Sequence, residues 1–246
     1  MEALREYVMI ERCNEFASHT SGVDHALPSA QQGGPCLSSR ALAIAQIAMA
    51  DAYNSITNSF ARYTLMPSYP GGDKNAAIAQ ACHDTLIALF SLQSVAIDAA
   101  LEGWLNTIPN GTAKTIGIAA GKKAAQLILS LRNSDGSAGL NGVAPPTNTT
   151  TNPGQWSQAL PESNAAGSTA YGANYGANCK PFIVNDTTEL VSLFRCPAPP
   201  SLGSKEYLAA FNQIKAIGGV GDATSPSART QDQTNYAIFW GGILWS

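Results

Sequence analysis

The sequence predicts an all-α protein: a helical bundle with a long irregular arm rich in Pro, Gly and Asn. Apolar residues between Ser38 and Ala61 recur at the three- and four-residue spacing of a helix face. Alternation at period two, the mark of a half-buried strand, is confined to short runs such as Phe182 to Val184. Apolar residues make up 45% of the chain and charged residues 13%, against roughly 25% charged in an average domain. The chain therefore has ample apolar surface for helix packing.

The first two helices differ in how much of their circumference is apolar. The first is predicted from Glu2 to Phe16, and a Gly/Pro/Ser-rich connection from Ser18 to Pro35 ends it. The second, from Ser38, carries two apolar stripes, formed by Leu42, Ala45, Met49, Ala52 and Ile56 and by Ala41, Ile44 and Ala48. A helix that is apolar over most of its surface is typical of the middle of a bundle.

Three further helices follow before residue 134. Asp73 is a candidate N-cap for the first, a break near Ser91 separates it from the next, and Pro109 ends that one. Thr112 is expected to cap a long helix that runs through Arg132. Within this last helix Gly117 and Gly121 lie four residues apart, which predicts close backbone packing against a neighbouring helix.

The character of the chain changes after Asn133. Residues 1–134 are predicted to form the bundle, 135–203 the irregular arm, and 204–246 the C-terminal helices that pack on the bundle or on a partner. A stretch as long as the arm without regular structure is unusual inside a compact domain.

The C-terminal segment is predicted to be helical and to end in an interface. A helix starting near Ser204 is stopped by Gly218, and Thr230 with Gln233 matches a capping box for the next one. The chain then ends in an apolar, aromatic run. From that run we expect a partner interface made by Phe239, Trp240 and Trp245.

Composition and charge exclude several functional classes. The net charge of −3 and the scattered basic residues argue against a nucleic-acid binder. No apolar run reaches the length needed to span a bilayer, so no membrane span is expected. The first residues carry no basic start followed by an apolar core, so no signal peptide is visible.

Polar residues form no complete catalytic set in the sequence. His19, Asp24 and His25 could form a metal site only with a firm further ligand and a rigid frame. His83 is interpreted as a partly buried histidine that makes hydrogen bonds. From the residues alone we assign no catalytic, cofactor-binding or metal-binding residue.

The five cysteines and three sequons suggest a location outside the cytoplasm. No two cysteines have CxxC spacing, and scattered core thiols are the simplest interpretation. The best candidate disulfide joins Cys179 to Cys196, both in the loop-rich segment. Asn110, Asn148 and Asn185 begin Asn-x-Thr sequons and are candidate N-glycosylation sites. Together these features favour an extracytoplasmic or secreted glycoprotein.

Several segments resemble, in order, the vanadium-dependent haloperoxidase-like proteins of the type 2 phosphatidic acid phosphatase superfamily. The first and longest is the run from Gly33 to Asn54. The others are Pro153–Trp156, Lys180–Phe182, Phe194–Arg195, Pro197–Pro200, Tyr207, Phe211–Asn212, Lys215, Arg229–Thr230, Gln233–Thr234 and Ala237–Trp240.

The resemblance implies that this chain corresponds to the first of the two helical bundles in the haloperoxidase fold. In that family a Lys and an Arg-Pro, a Pro-Ser-Gly-His loop and a later His segment bind vanadate, and none of these elements occurs here. Arg195 is followed by Cys196 instead of Pro. The resemblance therefore implies vanadate in the complete assembly but none bound by this chain.

Three functions remain open. In the first, the chain is the non-catalytic part of a haloperoxidase-like oxidoreductase that oxidises halide with peroxide, and a separate chain carries the catalytic half. In the second, it is a structural or assembly protein that has lost the catalytic half and associates with copies of itself. In the third, the assembly is an acid phosphatase, because vanadate and phosphate sites share their geometry.

Overall fold

The computed structural model describes residues 8–137, 179–184, 187–195, 197–219 and 221–242. In these residues all regular structure is helical, with no strands, so the predicted all-α class is confirmed. The helices are α1 (Val8–His25), α2 (Pro35–Thr57), α3 (Lys74–Leu89), α4 (Ser94–Asn106), α5 (Thr112–Arg132), α6 (Thr187–Phe194), α7 (Lys205–Ile217) and α8 (Gln231–Gly242).

The described residues fall into two units. Residues 8–137 and 179–184 belong to the first unit, which contains α1 to α5. The second unit takes the chain from Thr188 onward and contains α7 and α8. The predicted boundaries at residues 134 and 203 stay predictions, because most of the segment between them lies outside the described residues. Helix α6 falls inside the segment predicted to be irregular.

The first unit is organised around α3. This helix packs against α1, α2, α4 and α5, and Ile78, Cys82 and Leu86 on it are completely buried. The sequence instead indicates α2 as the central helix. α2 is indeed deeply buried through Ala41, Ala45 and Ala52, but alanines all around α3 let its neighbours approach it from more sides.

Four helix ends differ from the predicted ones. α2 begins at Pro35, three residues before the predicted Ser38. α1 continues past Phe16 to His25, because the buried Thr20 donates its hydroxyl to the Phe16 carbonyl oxygen at 2.9 Å instead of breaking the helix. α2 ends at Thr57, earlier than the predicted Ala61, because the next residue, Asn58, adopts the left-handed conformation. α5 begins at Thr112, and its N-cap is Gly111 with no capping side chain.

Two predicted caps are confirmed. The carboxylate of Asp73 accepts a hydrogen bond from the Ala76 amide at 2.8 Å at the start of α3. At the start of α8 the Thr230 amide donates to the Gln233 side chain at 3.0 Å, and the Gln233 amide donates to the Thr230 hydroxyl at 3.2 Å. These local bonds explain why both helices begin where the sequence indicates.

A 3-10 turn, Ser91–Gln93, separates α3 from α4 at the predicted break. Among the described residues no single helix has the length and apolar character to cross a membrane. Lys74–Leu89 and Ser91–Asn106 meet that test only as a pair, and they are bent by 117° relative to each other.

Candidate functional site

Helix α7 presents an apolar face that its own unit does not cover. None of its residues is buried. Leu208, Phe211 and Ile214, spaced three apart, are 57%, 52% and 67% exposed, and Tyr207 lies beside them. We call these four residues the α7 face. Large apolar side chains grouped on one helix face mark an interaction surface more often than a solvated one.

Helix α8 adds exposed apolar residues to the same unit. Phe239, Tyr236 and Ile238 are all about 60% exposed (62%, 61% and 63%). Of the three predicted interface residues, the Trp240 side chain and the whole of Trp245 lie outside the described part of the chain. The interface therefore stays a prediction, and the exposure of Phe239 agrees with it.

The C-terminal end of α7 is fixed by the segment that follows it. The Ala228 amide donates to the Ala216 carbonyl oxygen at 2.8 Å, and the Ser227 hydroxyl donates to that of Ile217 at 2.9 Å. A shallow groove of about 550 Å³ lies between this segment and α7, lined by Asn212, Lys215, Ala216, Pro226, Ser227 and Ala228. These two hydrogen bonds hold the C-terminal end of α7 against the segment that follows it.

In the first unit two arginines converge on one carboxylate. Arg40 on α2 donates to Asp135 at 2.8 Å, and the Arg132 Nε lies 2.9 Å from the same oxygen as an ion pair without hydrogen-bond alignment. Burial raises the pKa of the Asp135 carboxyl, but hydrogen bonds from Arg40 and Ser137 outweigh it and hold that pKa below its ordinary value. Asp135 is therefore a buried anion that ties α2 to the end of α5.

The same arginine holds the segment 179–184 against the bundle. Arg132 donates to the carbonyl oxygens of Lys180 and Pro181, and the Lys180 amide donates to the Asp135 carbonyl oxygen at 2.7 Å. The Phe182 ring lies under the guanidinium, and the Tyr63 hydroxyl donates to the Phe182 carbonyl oxygen at 2.6 Å. We call this segment the strap. The two terminal nitrogens of Arg132 therefore both donate hydrogen bonds to the strap.

Cys179 begins the strap, and its thiol is held in the neutral form. Burial raises the pKa of this thiol, and the nearby Asp135 carboxylate raises it further, against the opposing effect of Arg132 and Arg40. Such a thiol is a poor nucleophile at neutral pH. Cys196 lies outside the described residues, so the predicted Cys179–Cys196 disulfide stays a prediction.

Two members of the conditional metal site at the end of α1, Asp24 and His25, make hydrogen bonds within the chain. The two carboxylate oxygens of Asp24 accept the Gln31 and Gln32 amides at 2.9 and 2.8 Å, so this side chain closes the turn after the helix. His25 Nδ1 donates to the Ser21 carbonyl oxygen at 2.9 Å. In the part of the chain that the structure describes, no three His, Cys, Asp or Glu side chains are arranged to hold a metal.

His83 makes hydrogen bonds on both sides of its ring, as interpreted from the sequence. Nδ1 lies 2.7 Å from Asp84 and Nε2 lies 2.8 Å from Asp98 on α4. The bond to Asp84 raises the pKa of His83, burial opposes this, and the bond to Asp98 adds to it, so the net shift is upward. The raised pKa favours the protonated ring, which can donate from both nitrogens and so join α3 to α4.

Helices α1 and α4 meet at an aromatic pair. Phe16 and Trp104 pack edge to face with ring centroids 5.5 Å apart. A shallow groove of about 340 Å³ opens beside them, lined by Arg12, Glu15, Phe16, His19, Ala100 and Trp104. His19, named in the sequence analysis with Asp24 and His25 as a conditional metal site, lines this groove.

Only one of the three candidate glycosylation sites lies in the described residues. Asn110 is exposed in the turn before α5, where its side-chain oxygen accepts a hydrogen bond from Lys114 at 2.9 Å. Asn148 and Asn185 lie outside the described part of the chain. Modification of all three therefore stays a prediction.

The chain matches no family model, no curated protein and no solved structure. The resemblance to the haloperoxidase-like proteins therefore depends on its ordered motifs alone. Several of those motifs have defined places. Most of the first run, Pro35 to Asn54, lies in α2, and Lys180 to Phe182 lies in the strap. Tyr207, Phe211–Asn212 and Lys215 lie on α7. Sequence reasoning missed the cluster of Arg40, Arg132 and Asp135, for which the only local signal was an arginine three residues before an aspartate.

Proposed function

We propose that this chain is the non-catalytic, N-terminal portion of a vanadium-dependent haloperoxidase-like assembly. Another polypeptide segment carries the vanadate site, and the complete assembly uses peroxide to oxidise a halide. The observation that carries the proposal is the apolar surface of α7 and α8. Large apolar side chains that stay more than half exposed on the described part of two helices favour a partner.

The energetics favour covering the α7 face. Leu208, Phe211 and Ile214 each keep more than half of their surface exposed. Completing the burial of such a side chain contributes roughly 1 kcal/mol, since full burial contributes about 1.5–3 kcal/mol. A helical partner with an apolar face would therefore gain several kcal/mol from this face alone.

The motif positions point to the nature of that partner. Tyr207 and Phe211, which carry part of the resemblance, also lie on the α7 face. In the resembling family the first bundle packs against the catalytic bundle. The residues that match the motif are thus among those that a catalytic half would cover.

The clustered arginines of the first unit make structural contacts. Vanadate is an oxyanion, and its binding requires fixed cations and free hydrogen-bond donors. The two clustered arginines instead contact Asp135 and backbone carbonyl oxygens. These two arginines therefore do not supply the free donors that vanadate needs, and no reaction step is assigned to them.

The second candidate is a structural protein in which the α7 faces of two copies pack together. The low charge of the chain and the exposed residues of α8, Tyr236 and Ile238, favour it because both promote self-association. The acid-phosphatase alternative shares the first proposal's architecture and differs only in the reaction of the missing half.

Cross-linking of the native material tests the first proposal. Lys205 and Lys215 are exposed at the two ends of α7, so an amine-reactive cross-linker will report what covers its face. We expect mass spectrometry to find cross-links to a polypeptide that carries the vanadate-binding segments. Cross-links between copies of this chain alone would favour the structural protein. Bromide oxidation by the purified chain without a companion would overturn the proposal.

A pair of matched variants tests the surface itself. Phe211→Asp places a charge at the centre of the α7 face, and Leu65→Asp places the same charge at a 98% exposed loop position of the first unit. We expect the first to weaken the assembly at least tenfold and the second to leave it unchanged. Assays of halide oxidation and of phosphatase activity, each with and without vanadate, distinguish the haloperoxidase-like assembly from the acid-phosphatase assembly.

A further inference from the structure

Two cysteines meet in the core of the first unit. Cys13 on α1 and Cys82 on α3 are both completely buried. The Cys82 thiol donates a hydrogen bond to the Cys13 carbonyl oxygen at 3.7 Å, so the two residues are direct neighbours in the core. They are far apart in sequence, so this contact is made only by the packing of α1 on α3.

The contact places the two cysteines side by side. Both residues belong to the same core cluster, which includes Ala17 and Ile78. A disulfide has an S–S bond of roughly 2 Å, so the two sulfurs must move toward each other before the bond can form.

We propose that Cys13 and Cys82 are a dithiol–disulfide site that, by exchange with a small-molecule disulfide such as oxidised glutathione, links α1 covalently to α3. This inference is independent of the proposed function. It differs from the Cys179–Cys196 pair that the sequence indicates, and it assigns a covalent role to two thiols that otherwise serve as core packing.

The exchange has two steps. The thiolate of one cysteine attacks a sulfur of the reagent, which forms a mixed disulfide and releases one reduced reagent thiol. The other cysteine then attacks the protein sulfur of the mixed disulfide, closes the Cys13–Cys82 bond and releases a second reagent thiol. Two electrons pass from the protein sulfurs to the reagent, and the two protons end on the released thiols.

The closed bundle protects the pair from premature reaction. Hydrogen bonding to Cys82 and burial both raise the pKa of the Cys13 thiol. Because the thiolate is the reacting species, we expect exchange to be slow in the folded chain and faster when α1 detaches or while the chain folds.

Peptide mapping of the full chain tests the site without any substitution. The chain is refolded in a mixture of reduced and oxidised glutathione, its remaining thiols are alkylated in denaturant, and the digest is analysed by mass spectrometry. We expect a Cys13–Cys82 peptide pair as the main intrachain disulfide of the first unit. Recovery of both cysteines in alkylated form, with glutathione bound to Cys36 or Cys179, would overturn the proposal.

The thermal midpoint provides a second readout. The new bond closes a loop of roughly 70 residues, and we expect the oxidised chain to unfold roughly 10 °C higher than the reduced one. Cys82→Ala should abolish this difference, whereas Cys36→Ser, at an exposed position at the start of α2, should retain it. A difference that persists in Cys82→Ala would assign the effect to other cysteines and contradict the proposal.

Discussion

Arg132 stacks its guanidinium carbon 3.8 Å from the centroid of the Phe182 ring, at the point where the strap crosses the end of α5. The same side chain is 1% exposed and also contacts Asp135. A buried arginine is costly unless its charge is compensated and its donors are used. Here the Asp135 carboxylate compensates the charge, two carbonyl oxygens accept from the terminal nitrogens and an aromatic ring covers one face, while Nε makes no hydrogen bond. The arginine thereby fixes a distant segment on the bundle.

Replacing Arg132 by methionine should detach the strap. The change leaves the Asp135 carboxylate with only Arg40 as a cationic partner and frees the carbonyl oxygens of Lys180 and Pro181. Breaking a buried pair in this way costs about 3–5 kcal/mol. Urea denaturation should show this loss, whereas Lys122→Met, at an exposed position of the same helix, should change the free energy of unfolding by less than about 0.5 kcal/mol.

Asp135 should make the first unit sensitive to acid. Its folded-state pKa is lowered relative to the unfolded value of about 3.9. It therefore contributes stability above that pH, and the contribution disappears as pH falls through the folded-state pKa. We expect Asp135→Asn to be about 2 kcal/mol less stable than the wild type near pH 6, the value of a charge-assisted hydrogen bond. Denaturation curves from pH 6 to pH 2.5 should show this gap narrowing; a constant gap would contradict the assignment.

The helices could be predicted from the sequence because their signals are local. The apolar stripe of α2, the Asp73 cap and the Thr230–Gln233 capping box each depend on residues within a few turns of one another. The extension of α1 to His25 was not predicted because Thr20 and Ser21 resemble a break until their burial is known. The location of the central helix depends on which neighbours approach it, and only the tertiary structure contains that information.

The polar contacts could not be predicted for the same reason. Arg40 and Asp135 lie 95 positions apart and Tyr63 and Phe182 lie 119 apart, so no spacing rule connects them. The contact between Cys13 and Cys82 is equally remote in sequence. The apolar stripe on α7 could be predicted from the sequence. Its exposure could not, because burial depends on which other segments pack against the helix.

Gly121 allows α5 to pack directly on the backbone of α3, as its spacing from Gly117 predicts. A Cβ atom at Gly121 would lie 2.5 Å from the Ala77 carbonyl oxygen and 2.6 Å from the Gln80 Cβ. The first of these is a backbone atom, so the helices would have to separate. We expect Gly121→Ala to lower the free energy of unfolding by about 1–3 kcal/mol, measured by urea denaturation.

A second glycine provides the matched control for this substitution. Gly103 lies within α4, and a Cβ atom there would meet nothing within 4 Å. Alanine is favoured over glycine inside a helix by about 0.5–1 kcal/mol, so Gly103→Ala should stabilise the chain by that amount. Equal effects of the two substitutions would contradict the close approach of α5 to α3.

His83 should stabilise the first unit most at slightly acidic pH. Its pKa is raised in the folded chain above the ordinary value of about 6.5, so its contribution is complete below that value and is lost as pH rises through the folded-state pKa. Asp98 is 65% exposed, and solvent screening limits the expected gain to about 0.5–1 kcal/mol. Urea denaturation should show His83→Gln less stable than the wild type by this amount at pH 6 and nearly equal to it at pH 9. A difference in the free energy of unfolding that grew toward pH 9 would contradict this prediction. It would mean that the neutral ring, formed by loss of a proton, stabilises the contact between the two helices more than the protonated ring does.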